Sequence, residues 1–153
     1  MHRILLPVAF ALFATVARAS EFDLAAGASA TVGVRWAPAA FLDIGADPHG
    51  HWQPVATLGW IGSRKDGNDD LEHDVAIVGG GVRLVDWWGG AFFGFEAAYA
   101  DQRTGTLSSH EQFITSLGWR GERLIVMARH ISNGDIFGGR NLGETMLLAG
   151  ATF

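Results

Sequence analysis

The sequence predicts an all-β chain folded as an eight-stranded antiparallel transmembrane β-barrel, and three observations predict it. Runs of about ten residues alternate apolar with small or polar side chains, each followed by a turn signal. No stretch past residue 19 holds the roughly 18 continuous apolar residues that a membrane-crossing helix needs. Composition adds the third: 21 Gly, 6 Trp and 10 Phe, and no Cys. Glycine and aromatics without a helical period suit short strands and tight barrel corners. A small exported domain often relies on disulfides. Without cysteine its stability must come from elsewhere, and a barrel closed on itself in lipid supplies it.

The elements follow in order. His2 and Arg3 give a basic start, Ile4 to Val16 is almost wholly apolar, and Ala17-Arg18-Ala19 sets small residues where a signal peptidase reads. Residues 1–19 therefore read as a signal peptide with cleavage before Ser20, an uncleaved anchor being the alternative, and residues 20–153 as the barrel. Strands are expected at Phe22–Ala30, Thr31–Ala39, His51–Gly62, Leu71–Val85, Trp88–Ala100, Ser108–Arg120, Arg123–Ser132 and Glu144–Phe153. Between them stand an Asp43–Gly50 turn, the charged Ser63–Asp70 loop, an Asp101–Gly105 loop, the Gly121-Glu122 turn and the Asn133–Gly143 loop.

Odd-numbered strands run the same way, so the loops after them share one end, as the longer outer loops of bacterial barrels do. The Asp43–Gly50 turn is longer than that rule expects. Trp87 and Trp88 read as part of an interfacial aromatic girdle, and Phe153 as an aromatic last residue of an outer-membrane strand. A soluble barrel or a periplasmic sandwich is the alternative architecture.

The net charge of −5 and the scattered basic residues exclude a nucleic-acid surface. Gly79-Gly80-Gly81 and Gly89-Gly90 are not phosphate loops, since neither a lysine nor a helix follows; they suit close strand packing. Asp47, His49 and His51 beside Pro48 and Gly50 read as a solvated turn rather than a metal site. Asp66, Asp69, Asp70 and Glu72 read as a surface loop. The sequence assigns no metal and no cofactor.

Chemistry concentrates at the seventh strand. Side chains alternate faces with period two, so Leu124, Val126, Ala128, His130 and Ser132 share one face, with Arg123, Ile125, Met127, Arg129 and Ile131 on the other. An arginine tolerates a polar lumen and not lipid. Arg129 is thus expected inside, which sends His130 and Ser132 outside, at the rim above an apolar strip. Two residues apart on a strand is about 6.6 Å between Cα atoms, a gap that a turned imidazole spans. The pair then supplies a nucleophile and its general base. A carboxylate should fix the ring, and Glu144, which opens the next strand, is the candidate.

The leader, the eight strands, His130-x-Ser132-Asn133 on the penultimate strand and Glu144 just after the loop together resemble the lipid A 3-O-deacylase family of PagL-like outer-membrane barrels. The layout covers the whole mature chain, and its specific part is residues 128–144. The resemblance implies a serine esterase in the outer membrane of a Gram-negative bacterium. It would release the ester-linked 3-hydroxyacyl chain at the 3-position of lipid A in lipopolysaccharide, the alternatives being a non-enzymatic small outer-membrane barrel or another lipid-acting enzyme, a phospholipase or acyltransferase. Ser132 would be the nucleophile, His130 the base and Glu144 its orienting acid, on the outer wall of the barrel.

Where the family has an oxyanion asparagine, this chain has Arg140, with Asn141 one position later. Asn133, Gly134 and Asn141 remain oxyanion candidates, by backbone N–H or side-chain amide. Arg140 is a candidate for a lipid phosphate or a solvated loop arginine. Lipid A is the expected partner, and a homodimer is left open. Strict alternation cannot send both Glu144 and Phe153 outward, so a bulge at Gly143 or Gly150, or a loop conformation at Glu144, is expected.

Overall fold

The computed structural model describes residues 19–30, 36–64, 71–136 and 142–153, and these are all β, turn and loop. The strands are β1 (Ala19–Ala30), β2 (Ala37–Ala46), β3 (Trp52–Ile61), β4 (Val75–Leu84), β5 (Ala91–Ala100), β6 (Glu111–Arg120), β7 (Ile125–Ser132) and β8 (Glu144–Thr152). Each pairs antiparallel with the next, and β8 pairs with β1, so the sheet is a closed barrel with no free edge. The expected signal peptide lies outside the described residues except for Ala19, whose backbone opens β1.

Alternation selects which side chains enter the barrel. On β7, Ile125, Met127, Arg129 and Ile131 are buried while Val126 and Ala128 are exposed. On β5, Phe92, Gly94, Glu96 and Ala98 are buried while Phe93, Phe95 and Ala97 are exposed. Charged side chains stand among apolar ones in the interior, and many apolar side chains are exposed on the outer wall.

The second strand departs from expectation. The sequence places it at Thr31–Ala39 with a turn from Asp43, whereas β2 is Ala37–Ala46 and Thr31–Arg35 lie outside the described residues. Asp43 does not break the strand because it faces the lumen, where it is 1 % exposed and accepts hydrogen bonds from Arg83 Nη2 (2.7 Å), Arg129 Nη2 (2.6 Å) and Thr57 Oγ1 (2.8 Å). An aspartate reads as a turn signal only when nothing buries and pairs it. The other predicted strands overlap their observed counterparts, β1 beginning three residues earlier than expected and the rest having trimmed ends.

The lumen is packed rather than open. Arg83 also donates to Asp23 at 2.7 Å, and Arg129 Nε donates to Ser116 Oγ at 2.9 Å. The two guanidinium groups stack over Phe92 and Phe41, 4.6 and 4.7 Å from the ring centroids. Nearer the other mouth the filling becomes apolar, with Ile61, Val75, Ile77, Ile114 and Ile131 buried. Barrel walls meet closely where glycines allow it: a Cβ on Gly81 would strike the Phe95 backbone.

The two ends differ. The connections 47–51, 85–90 and 121–124 are short turns, and 62–74, 101–110 and 133–143 are longer loops at the opposite mouth. Leu71 and Leu107 from two of those loops are fully buried there. All six tryptophans are exposed: Trp52, Trp87, Trp88 and Trp119 at the short-turn end, Trp36 and Trp60 at the long-loop end.

Candidate active site on the outer wall

β7 ends at the long-loop mouth, and its last residues carry the predicted pair. Arg129 points inward at 1 % exposure, and His130 and Ser132 lie half-buried on the outer face. Both stand above the exposed Val126 and Ala128 of the same strand. His130 Nδ1 lies 2.9 Å from Thr145 Oγ1, directly opposite on β8. No hydrogen bond joins Ser132 to His130 among the described residues.

Glu144 is not brought to the ring. It is fully buried and faces the lumen, where Arg64 grips its carboxylate through both guanidinium nitrogens at 2.9 and 2.6 Å. The reason is parity. β7 and β8 pair without a register shift from Ile125↔Gly150 to Ile131↔Glu144, so Glu144 stands beside inward Ile131 and Thr145 beside outward His130. The expected bulge is absent from β8: alternation runs on to Phe153, which is 75 % exposed. The orienting acid predicted for His130 is therefore corrected, and the group at Nδ1 is a hydroxyl.

Thr145 was not singled out in the sequence at all, and Gly143 (φ 69°), which the sequence offered only as a place for a bulge, packs against the imidazole. A Cβ there would lie 2.7 Å from His130 Cε1 and 3.0 Å from Nε2, so only glycine leaves room for the imidazole. Its N–H donates to the Thr106 carbonyl at 3.1 Å, tying the site to the loop after β5. A glycine closing a loop before a strand is visible in sequence; its contact with the ring is not.

Of the oxyanion candidates, Asn133 has its side chain committed. It is fully buried, donates to Ser109 Oγ at 2.9 Å and Ser108 Oγ at 3.3 Å, and accepts from the Asp135 N–H at 2.9 Å. Its amide is a brace for the loop rather than an oxyanion donor. Gly134 takes the left-handed conformation (φ 60°) in the turn that follows Ser132. Arg140 and Asn141 lie outside the described residues.

Two apolar grooves flank the site. One, of about 440 Å³, is lined by Ala30, Trp36, His130, Leu142, Thr145 and Leu147 among others. The second, of about 450 Å³, runs below along Leu117, Trp119, Val126, Ala128 and Leu147. Leu117 and Leu147 sit opposite Ala128 on its two sides, at 56 % and 62 % exposure, so the small residue floors a slot beneath His130.

The remaining sequence candidates do not join this site. His51 Nδ1 donates to the Val85 carbonyl at 3.0 Å, and no group of three or more metal-ligating side chains occurs among the described residues. Compared with protein-family models, curated proteins and solved structures, the chain matches none.

Proposed function

We propose that this barrel stands in a bacterial outer membrane and hydrolyses the ester-linked 3-hydroxyacyl chain at the 3-position of lipid A, with Ser132 as nucleophile and His130 as general base. One observation carries the reading: a histidine and a serine share the outer wall at the mouth of the barrel, above an apolar slot, while the charged residues of the same strands turn inward.

Several features support the membrane setting. Leu24, Leu58, Val82, Phe93, Phe95, Leu117, Val126 and Leu147 are exposed around the wall, and tryptophans collect toward its two ends. In water such a surface would be an aggregation hazard; in hydrocarbon it is the stable one. The site then lies at headgroup depth, where the ester of a lipid is met.

The chemistry follows from the groups present. Ser132 Oγ attacks the acyl carbonyl and its proton passes to His130 Nε2. Collapse of the tetrahedral intermediate breaks the ester bond, and the departing sugar oxygen takes that proton from His130. Water then attacks the acyl-serine, giving up a proton to His130. The second collapse releases the fatty acid, and Ser132 Oγ recovers its proton. The acyl chain lies in the slot floored by Ala128.

A single variant tests the assignment. Ser132→Ala should yield a folded barrel that leaves lipid A at full acyl mass, whereas the wild type releases 3-hydroxy fatty acid, both read by mass spectrometry. Equal release from the two proteins would end the assignment. Two observations favour a second reading, a small barrel without catalytic activity: Glu144 is turned away from the ring, and no bond joins Ser132 to His130 among the described residues. That reading predicts unchanged lipid A with both proteins.

A further inference from the structure

The geometry assigns Thr145 as the residue that orients His130, with Glu144 acting only mechanically, through Arg64, from inside the barrel. This rests on the esterase reading above. For His130 to accept the serine proton at Nε2, its own proton must sit on Nδ1. Thr145 Oγ1 is 2.9 Å from Nδ1, and a hydroxyl accepts such a bond as readily as it donates one. Once the ring is protonated both nitrogens are donors, so Thr145 can then only accept. The hydroxyl thus holds the ring by Nδ1 and can stay bonded to it throughout the proton transfer.

Glu144 is excluded from that part by its side of the sheet. Its two oxygens are bonded to Arg64 in the lumen, and the backbone between it and Thr145 turns the next side chain outward. The Arg64 pair therefore pins the start of β8, and so the height at which Thr145 and Gly143 meet the imidazole. Arg64 comes from the loop after β3, on the far side of the barrel from β7. Thr145 is a positioning residue, and Arg64 and Glu144 are one remove further.

The test uses the full barrel refolded in detergent, with lipopolysaccharide as substrate and fatty-acid release as readout, corrected for the folded fraction by circular dichroism. Thr145→Val, which keeps the shape and loses the hydroxyl, should lower kcat by about 10- to 100-fold with KM within about twofold, the range of one hydrogen bond to a charged group. Thr145→Ser should restore most of it. Glu144→Gln should lower kcat no more than Arg64→Met does, because both act through one pair.

Nitrogen-15 spectra of His130 should show Nδ1 held in a hydrogen bond in the wild type and without that bond in Thr145→Val. Full activity in Thr145→Val, or a loss in Glu144→Gln at least tenfold beyond that in Arg64→Met, would overturn the assignment. Release no greater than that of Ser132→Ala would instead sink the esterase reading. In that case the nitrogen spectra still decide whether Thr145 holds the imidazole by Nδ1.

Discussion

Replacing Asp43 by asparagine should be the most damaging single change in the lumen that alters no shape. The carboxylate receives Arg83 and Arg129 at 2.7 and 2.6 Å and Thr57 at 2.8 Å, in a site 1 % exposed. Removing one partner of a buried ionic pair costs about 3–5 kcal/mol, because the remaining charge is left desolvated. Arg83 keeps Asp23 at 2.7 Å and Arg129 keeps the Ser116 hydroxyl at 2.9 Å, which places the loss near the lower figure, about 3 kcal/mol. Arg129→Met should cost less, about 2 kcal/mol, since Asp43 then retains Arg83 and Thr57. The double variant should fall short of the sum by about 1–3 kcal/mol, the coupling of groups in contact. Urea unfolding in detergent micelles, followed through the emission of the six exposed tryptophans, reads this as a shift in midpoint at constant slope. A loss under about 1 kcal/mol for Asp43→Asn, or strict additivity in the double variant, would refute the claim that this carboxylate holds the lumen together.

Three further changes probe the wall and the mouth. Gly143→Ala combines a left-handed backbone, worth about 1–2 kcal/mol against alanine, with a Cβ 2.7 Å from His130 Cε1. It should leave the barrel folded and lower kcat about 100-fold by shifting the imidazole, and unaltered turnover would show that the ring has room elsewhere. Ala128→Arg puts a charge on the outer wall between Leu117 and Leu147, and should cost about 2 kcal/mol in vesicles of bilayer lipid. Equal stability of this variant and the wild type in such vesicles would argue against a lipid-facing slot. Asp74, in the loop after β3, accepts the Ser63 N–H at 2.7 Å, with Trp60 Nε1 at 3.2 Å, and the Ser63 bonds chiefly hold its carboxyl below the usual carboxylate range. A group depressed in the folded state lends stability above its unfolded value and loses it as pH falls through the folded one. Trp60 emission should therefore change at a pH below that of a free aspartate, and a transition at or above the ordinary value would contradict the contact.

Strand number, closure and the facing of β7 were legible because alternation with period two is written directly in the residues. Arg129 decided the matter: a guanidinium has to find partners, so its neighbours His130 and Ser132 had to face the other way. Two things were not legible, for related reasons. Asp43 looked like a turn because its partners, Arg83 and Arg129, are 40 and 86 positions away. Glu144 looked like the acid of His130 because catalysis wants a carboxylate there, although the same parity that placed His130 outside required Glu144 inside. Its true partner, Arg64, stands 80 positions earlier, and nothing local announces it. Long-range pairing of charges across a lumen leaves no pattern along the chain.

An outer-wall site has a structural problem that a cleft enzyme lacks: no protein packs against its exposed side, so its geometry must be set from behind. The period of the strand supplies the means. His130 follows Arg129, which is anchored to Asp43 and Ser116; Thr145 follows Glu144, which is anchored to Arg64; and Ser132 precedes Asn133, which is anchored to Ser108 and Ser109. Each outward group is one peptide unit from a buried polar residue that is anchored to another segment of the chain. Because an inward side chain fixes the pleat on which its neighbour stands, anchored inward residues make the outer face rigid without covering it. The charge buried in this barrel then serves the mouth as well as the wall, and the inward neighbours of the site are where second-site effects on turnover should be sought first.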